Sequence, residues 1–305
     1  MIYTLQTEAP MSEKFDVPFQ SNVVPTILEL GSTLQFKCHK GISCFNACCR
    51  NADITLTPYD IIRLKQHLGK SSTEFLKEHT VPFQMDQDGL PGVKLRTDND
   101  GACLFMTDEG CSVYKDRPTA CRYYPLGNMI RLDTGAKTEH VDYVLIKEDH
   151  CKGHEEDRKL TVQEYLIEQE TAQYDEMNRE WQQLMLMKRS GGPSVGKPPE
   201  ATLQMYFMCS FDMERFRRFV LSDNFKATYD LEDSLYEVLA KEDVSLMQFG
   251  TRLMKQVFFG LRTIPEKNGV WEKRMDERQE VWEARRQAEI QRQQRTEDER
   301  YSGDD

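Results

Sequence analysis

The chain has 305 residues, 39% hydrophobic and 30% charged, with a net charge of −11 at neutral pH. That length can bury one large core or two ordinary ones, while the high charged fraction leaves part of the chain solvated. The acidic balance excludes a general nucleic-acid or anionic-membrane surface, since both need basic patches, and the longest apolar runs, such as Val257–Leu261, are far too short to span a bilayer.

The opening stretch MIYTLQTEAPMSEKFD has no basic, apolar or small-residue segment of a secretory leader, so a cytoplasmic chain with reduced thiols is expected. Four segments are expected: an N-terminal piece over 1–35, a cysteine-cluster domain over 36–153, a helical region over 154–265, and a charged, solvated or disordered tail over 266–305. Within the second segment, Thr57, Pro58 and Asp60 read as N-cap, first helical residue and N3 acid. Ile61, Ile62, Leu64 and Leu68 give that helix one apolar side. Ser71 and Glu74 form a capping box for a second short helix. Val93, Leu95 and Thr97 alternate as a strand, Asp98 to Gly101 turn, and Cys103 to Phe105 resume extended structure. Met129–Leu132 and Val141–Ile146 read as a hairpin pair.

From Thr161 to Met187 the apolar spacing is helical, with Tyr165, Leu166, Trp181, Leu184 and Met185 near a period of 3.6. A Gly/Pro linker over 190–199 follows. An aromatic-rich stretch then runs to Val220, and further helices are expected near Leu231–Ala240 and near Ser245–Leu261. In the tail, Trp271, Met275 and Trp282 could mark a partner-binding helix, although a solvated terminus is the plainer reading.

Cysteine spacing carries the chemistry. Eight of nine cysteines lie between Cys38 and Cys151: Cys38, Cys44, Cys48 and Cys49, then Cys103, Cys111, Cys121 and Cys151. In a reducing compartment such clustering points to metal rather than disulfides. Zinc takes four sulfur or nitrogen ligands and iron–sulfur clusters commonly take four thiolates, so eight suit two four-ligand sites, or one cluster plus a structural metal. Adjacent Cys48 and Cys49 are expected to serve different metals, or one of them to lie just outside a ligand shell. Arg117 and Arg122 flank Cys121 and could donate N–H groups that offset thiolate charge. Pro118 starts a short helical turn there and Pro125 stops it. His39 and His154 stand near proposed ligands but rank below the cysteines. Cys209, in the apolar run Met205–Phe211, reads as a packed small side chain. No phosphate loop, serine elbow or HExxH is present, and no catalytic or organic-cofactor residue is assigned.

The amino-terminal cysteine group, followed by GACLFMTDEGCSVYKDRPTACRYYP (Gly101–Pro125), resembles the YkgJ-like cysteine-cluster family, described as zinc- or iron-chelating. Its members pair a CxxCxxCC-type group with a segment similar to CxF…CxIYxxRPxxCRxYP. The resemblance runs through Cys103, Phe105, Cys111, Tyr114, Arg117, Pro118, Cys121, Arg122, Tyr124 and Pro125. Cys151-Lys152-Gly153 is similar to the family's later Cys-x-Gly. In the first group, spacings of five and three stand where the family has two and two. Phe211–Phe225 resembles a carboxy-terminal extension of some members. The resemblance implies metal chelation, by zinc or an iron–sulfur cluster, without a substrate.

The expected fold is α+β and predominantly helical: an irregular cysteine-rich module with short strands, stapled by metal, plus a helical carboxy-terminal region. Two alternatives are weighed. Some proteins with this cysteine group resemble flagellin lysine N-methylases, which would imply iron–sulfur-dependent methyl transfer from S-adenosylmethionine, yet no glycine-rich strand-to-helix loop stands ready for that cofactor. Electron transfer would require iron and a reversible couple.

Overall fold

The computed structural model describes residues 26–50, 52–133, 138–190, 198–270 and the isolated positions 272, 283, 286, 287, 290 and 291. Most of the 190–199 linker and Trp271, Met275 and Trp282 lie outside the described residues. Among the described residues the fold is α+β and mostly helical, with ten α-helices and four small antiparallel sheets.

Strands β1 (Thr26–Leu28) and β2 (Thr33–Gln35) lead into the first thiol loop. Helix α1 (Pro58–His67) begins as its sequence predicts: Thr57 Oγ1 accepts the Asp60 N–H at 3.2 Å, and Asp60 Oδ2 accepts the Thr57 N–H at 2.8 Å. Helix α2 (Ser72–His79) has the same reciprocal cap from Ser71 and Glu74. Strands β3 (Thr80–Gln84) and β4 (Pro91–Leu95) pair as a hairpin that buries Val93 and Leu95, while Lys94 reaches Asp53 at 2.7 Å. Thr97 falls past the end of β4 and bridges Cys103.

The middle of the chain is made of small pieces. Strands β5 (Met106–Thr107) and β6 (Gly110–Cys111) form a minimal hairpin, and α3 (Thr119–Tyr123) is a single short helix between Pro118 and Pro125. Strands β7 (Leu126–Asp133) and β8 (Thr138–Leu145) form the expected hairpin, and β1 adds to it in the order β1-β8-β7. Strand β9 (Lys159–Thr161) pairs with β2.

The helical stretch expected from Thr161 to Met187 is two helices, α4 (Val162–Glu168) and α5 (Thr171–Ser190). The break comes at Glu170, which has a left-handed φ of 55°. The reason is packing. Tyr165 and Leu166 face a small core with Leu34, Phe36, Tyr123, Leu126, Tyr143 and Val162, whereas Trp181, Leu184 and Met185 face the main core. One straight helix could not serve both. Helices α6 (Glu200–Phe211), α7 (Met213–Val220), α8 (Asp223–Thr228), α9 (Asp233–Lys241) and α10 (Asp243–Phe259) complete the chain's described helices. Their Tyr206, Phe216, Leu246 and Leu253 join α1, α2 and β4 in the main core, so the cysteine-bearing half and the helical half share it. No helix among the described residues is long and apolar enough to cross a membrane.

Candidate metal centre

All eight clustered thiols are free; Cys103 and Cys111 pack against the main core and Cys151 against the small one, while Cys38 and Cys48 are exposed. Backbone pairing gathers them. Asn46, with a left-handed φ of 66°, opens the 3₁₀ turn Ala47–Cys49 that carries Cys48 and Cys49. The Cys103 N–H then donates to the Cys49 carbonyl at 2.8 Å, and Arg50 bridges Ala102. Asn46 Nδ2 holds the Thr107 carbonyl of the β5–β6 hairpin at 2.8 Å, which sets Cys111 alongside. On the other side the Lys37 N–H donates to the Gly153 carbonyl at 3.0 Å, bringing Cys38 toward Cys151. A side chain at Gly153 would meet Phe36 Cε2 at 2.6 Å and the Lys37 carbonyl at 3.1 Å, which gives the Cys-Lys-Gly spacing a packing reason.

The thiols act on one another in two overlapping sets that share Cys48. Burial, then the thiols of Cys48, Cys44 and Cys151, push Cys38 up to about 11. Burial, then Cys103 and Cys111, raise Cys121, and Asp60 adds to the effect. Cys49 is raised by its hydrogen bond with Cys48 and by burial, with Cys103 and Cys121 contributing. Cys48 is the exception: the hydrogen bond with Cys49 lowers it to about 7 against the opposing effect of burial. The two adjacent sulfurs stand 4.0 Å apart, and Cys48 acts on members of both sets.

The donors to sulfur come from the backbone. The N–H groups of Phe105 and Met106 serve Cys103, that of Val113 serves Cys111, and that of Lys152 reaches Cys44 Sγ at 3.2 Å. Burial still raises Cys103 and Cys111. Such donors suit a thiolate more than a thiol, and eight soft sulfur donors suit zinc or iron over calcium or magnesium. In number and type the residues suit a thiolate-bound metal. Among the described residues, however, no group of three or more His, Cys, Asp or Glu side chains is arranged so that it could hold a metal ion.

The two arginines are engaged differently from the N–H···S donors expected of them. Arg122 is almost wholly buried, and its guanidinium donates to the Arg117, Lys115 and Gln169 carbonyls and to Tyr174 Oη. Arg117 donates to the Tyr114 carbonyl and Gln169 Oε1, both at 2.7 Å, and its charge acts on Cys111. Both therefore brace the loop around Cys121 through oxygen acceptors. His39 pairs with Glu156 at 3.4 Å, and the His154 ring lies on Phe36. Cys209 is buried in α6.

Sequence reasoning missed Asp60 as part of this centre. Beyond capping α1, its fully buried Oδ1 accepts the Thr119 N–H at 2.8 Å and the Thr119 hydroxyl at 2.7 Å, fixing α3 and hence Cys121. Only its role as an N3 acid was visible in the pattern; the second oxygen's partner lies far along the chain. Tyr124 was matched as a motif residue without a role. Burial raises its hydroxyl, with nearby Cys151 and Glu148 adding to the shift.

Among known proteins, residues 37–152 match the CxxCxxCC family, described as a "putative zinc- or iron-chelating domain". The matched span contains all eight clustered thiols. No curated protein and no solved structure matches the chain. Neither finding supports methyl transfer or electron transfer.

Proposed function

We propose that the chain holds zinc or iron through two neighbouring thiolate groups, a reading supported by the match of residues 37–152 to the CxxCxxCC family model. Cys38, Cys44, Cys48 and Cys151 make the outer group; Cys49, Cys103, Cys111 and Cys121 make the inner one. The observation that supports this division is the backbone pairing: the Lys37–Gly153 bond draws Cys38 toward Cys151 and the Lys152 N–H reaches Cys44, whereas the Cys103 N–H bonds the Cys49 carbonyl and Asn46 sets Cys111 alongside. Cys48 lies at the seam, 4.0 Å from Cys49.

The reading is of a binding and architectural role. A metal bound here supplies cross-links between loops that are distant in sequence, and its binding energy is then folding energy. The chain's own residues prepare the site. Asp60 fixes the helix bearing Cys121, Arg117 and Arg122 brace the loop before it, and backbone N–H groups stabilise sulfur charge. Reduced thiols of this number fit a reducing compartment such as the cytoplasm.

The test is anaerobic purification followed by elemental analysis and an optical spectrum on one sample. Zinc without visible absorbance assigns a structural or chelating centre, and iron with inorganic sulfide assigns a cluster. Replacing Cys121 by Ser should remove the inner metal, and replacing Cys38 by Ser the outer one. Stoichiometric metal absent from the wild-type protein defeats the reading.

A further inference from the structure

Away from the thiols, a cleft of about 330 Å³ opens between Arg63, Lys115 and Arg122 on one side and the first turn of α5 on the other. Its volume lies at the low end of small-molecule sites. In a chain of net charge −11, three cations lining one concavity stand out. Arg63 is neutralised locally, because its Nε holds Asp116 Oδ1 at 2.9 Å. Lys115 is exposed and, among the described residues, has no ion pair. Arg122 forms the buried wall, its guanidinium 4.1 Å over the Tyr174 ring and fixed by three carbonyls and the Tyr174 hydroxyl.

One anion already visits this wall. The carboxylate of Glu170 lies 3.7 Å from Arg122 Nη1, too long for a good charged hydrogen bond, and its side chain is 80% exposed. Glu170 also takes a left-handed φ of 55°, a conformation that favours glycine. A strained, loosely held, solvent-facing carboxylate over a rigid guanidinium behaves as a displaceable counter-ion. With Glu170 swung away, Lys115 and Arg122 present two uncompensated positive charges beside the first-turn amides of α5, which no carbonyl within the helix serves.

We infer that this cleft is a binding site for a phosphate dianion, free or as the head of a small phosphomonoester, with Glu170 as its internal competitor. The inference does not depend on which metal the thiols hold. The cleft is large enough to take more than the phosphate group alone, and the planar, pre-positioned Arg122 suits oxyanion recognition.

The experiment is thermal melting of the protein as isolated, with its metal, against inorganic phosphate and, separately, glycerol phosphate, each compared with sodium chloride at equal ionic strength. A saturable rise beyond the chloride control is expected. Glu170→Gln should tighten phosphate binding several-fold, and Lys115→Glu should weaken it by roughly tenfold or more, the scale of a lost charge-assisted contact. Both positions are exposed, so neither variant should fail to fold. Equal affinities for the two probes assign free phosphate as the ligand; tighter glycerol phosphate assigns a phosphomonoester. No rise beyond chloride overturns the site. A rise that neither substitution alters also overturns it, since phosphate would then be acting elsewhere, the metal included.

Discussion

The two hydrophobic cores of this protein are held by different means. The main core gathers fully buried Ile61, Leu64, Phe75, Tyr206, Phe216, Leu246 and Leu253 from several long elements, and apolar burial is its largest source of stability. The small core has Leu34, Phe36, Tyr123, Leu126, Tyr143, Val162, Tyr165 and Leu166, supplied by three-residue strands, one hairpin and two short helices. Such a set lacks the area to stand alone. Cys151 packs against this small core and Cys103 and Cys111 against the main one, so a metal held by the thiols, as proposed, would fasten the two together. Removing the metal with excess chelator should therefore release the small core first. Hydrogen exchange is expected to rise in β1, β7, β8 and α4 while α6, α7 and α10 stay protected, a loss on the order of 10 kcal/mol for a structural zinc site. Equal deprotection of both cores breaks the comparison.

The main core has its own polar fastening, and it too can be cut. Lys65 on α1, only 6% exposed, holds Glu214 of α7 at 2.5 Å and Asp243 of α10 at 2.9 Å. Arg217 also pairs with Asp243, and the Ser72 N–H donates to Glu214 at 2.6 Å. Lys65→Ala leaves two carboxylates short of a partner in a mostly buried place, and a loss of about 3–5 kcal/mol is expected in urea unfolding. Acid sharpens the test. Burial alone would raise both carboxyls, but the hydrogen bonds from Lys65, Ser72 and Arg217 outweigh it and hold them below their ordinary values. Depressed carboxyls contribute stability that is complete above about pH 4.5 and is lost as pH falls through their folded values. The Lys65 variant should lose part of that acid-dependent step. An unchanged acid profile shows that the network does not contribute to stability.

At Gly250 the main core admits no extra atom. A Cβ there would meet the Cys209 carbonyl at 2.9 Å and Phe216 Cε1 at 2.9 Å. Gly250→Ala should cost about 2–3 kcal/mol by overpacking, read as a lower urea midpoint with an unchanged slope. Metal content should stay at the wild-type level, because the atoms that the new Cβ would press belong to Cys209 of α6 and Phe216 of α7 and not to the thiol loops. Metal loss in this variant would mean that the cores are not separately fastened.

The difference between the cores also explains what the sequence revealed. Elements of the main core carry strong local signals: the caps at Thr57 and Ser71, the one-sided α1, and the alternation of Val93 and Leu95 all appear in the structure. In the small core only the β7–β8 hairpin and the start of α4 do. Strands β1, β2 and β9 are three residues long, too short for alternation to register, and their partners lie more than a hundred residues away. The break at Glu170 was invisible because both helices share a continuous apolar period, and only the presence of two cores forces it. The thiols were legible from spacing alone. Their backbone N–H donors and the second oxygen of Asp60 were not, since hydrogen bonds across the fold leave no mark on composition.

The smallest effect on global stability is expected at Gly153, and it bears most directly on the fastening. The Cβ of Gly153→Ala would press on Phe36 in the small core, immediately beside Cys151. If the small core is held by metal, strain there should barely alter unfolding of the main core, by about 1 kcal/mol at most on the overpacking scale. It should instead appear as easier metal loss, with chelator stripping the variant at lower concentration than wild type. Gly250→Ala and Gly153→Ala are thus matched overpacking changes with opposite expected readouts, one in urea and one in chelator. If both variants move only the urea midpoint, the small core needs no metal, and the thiols serve binding without serving the fold.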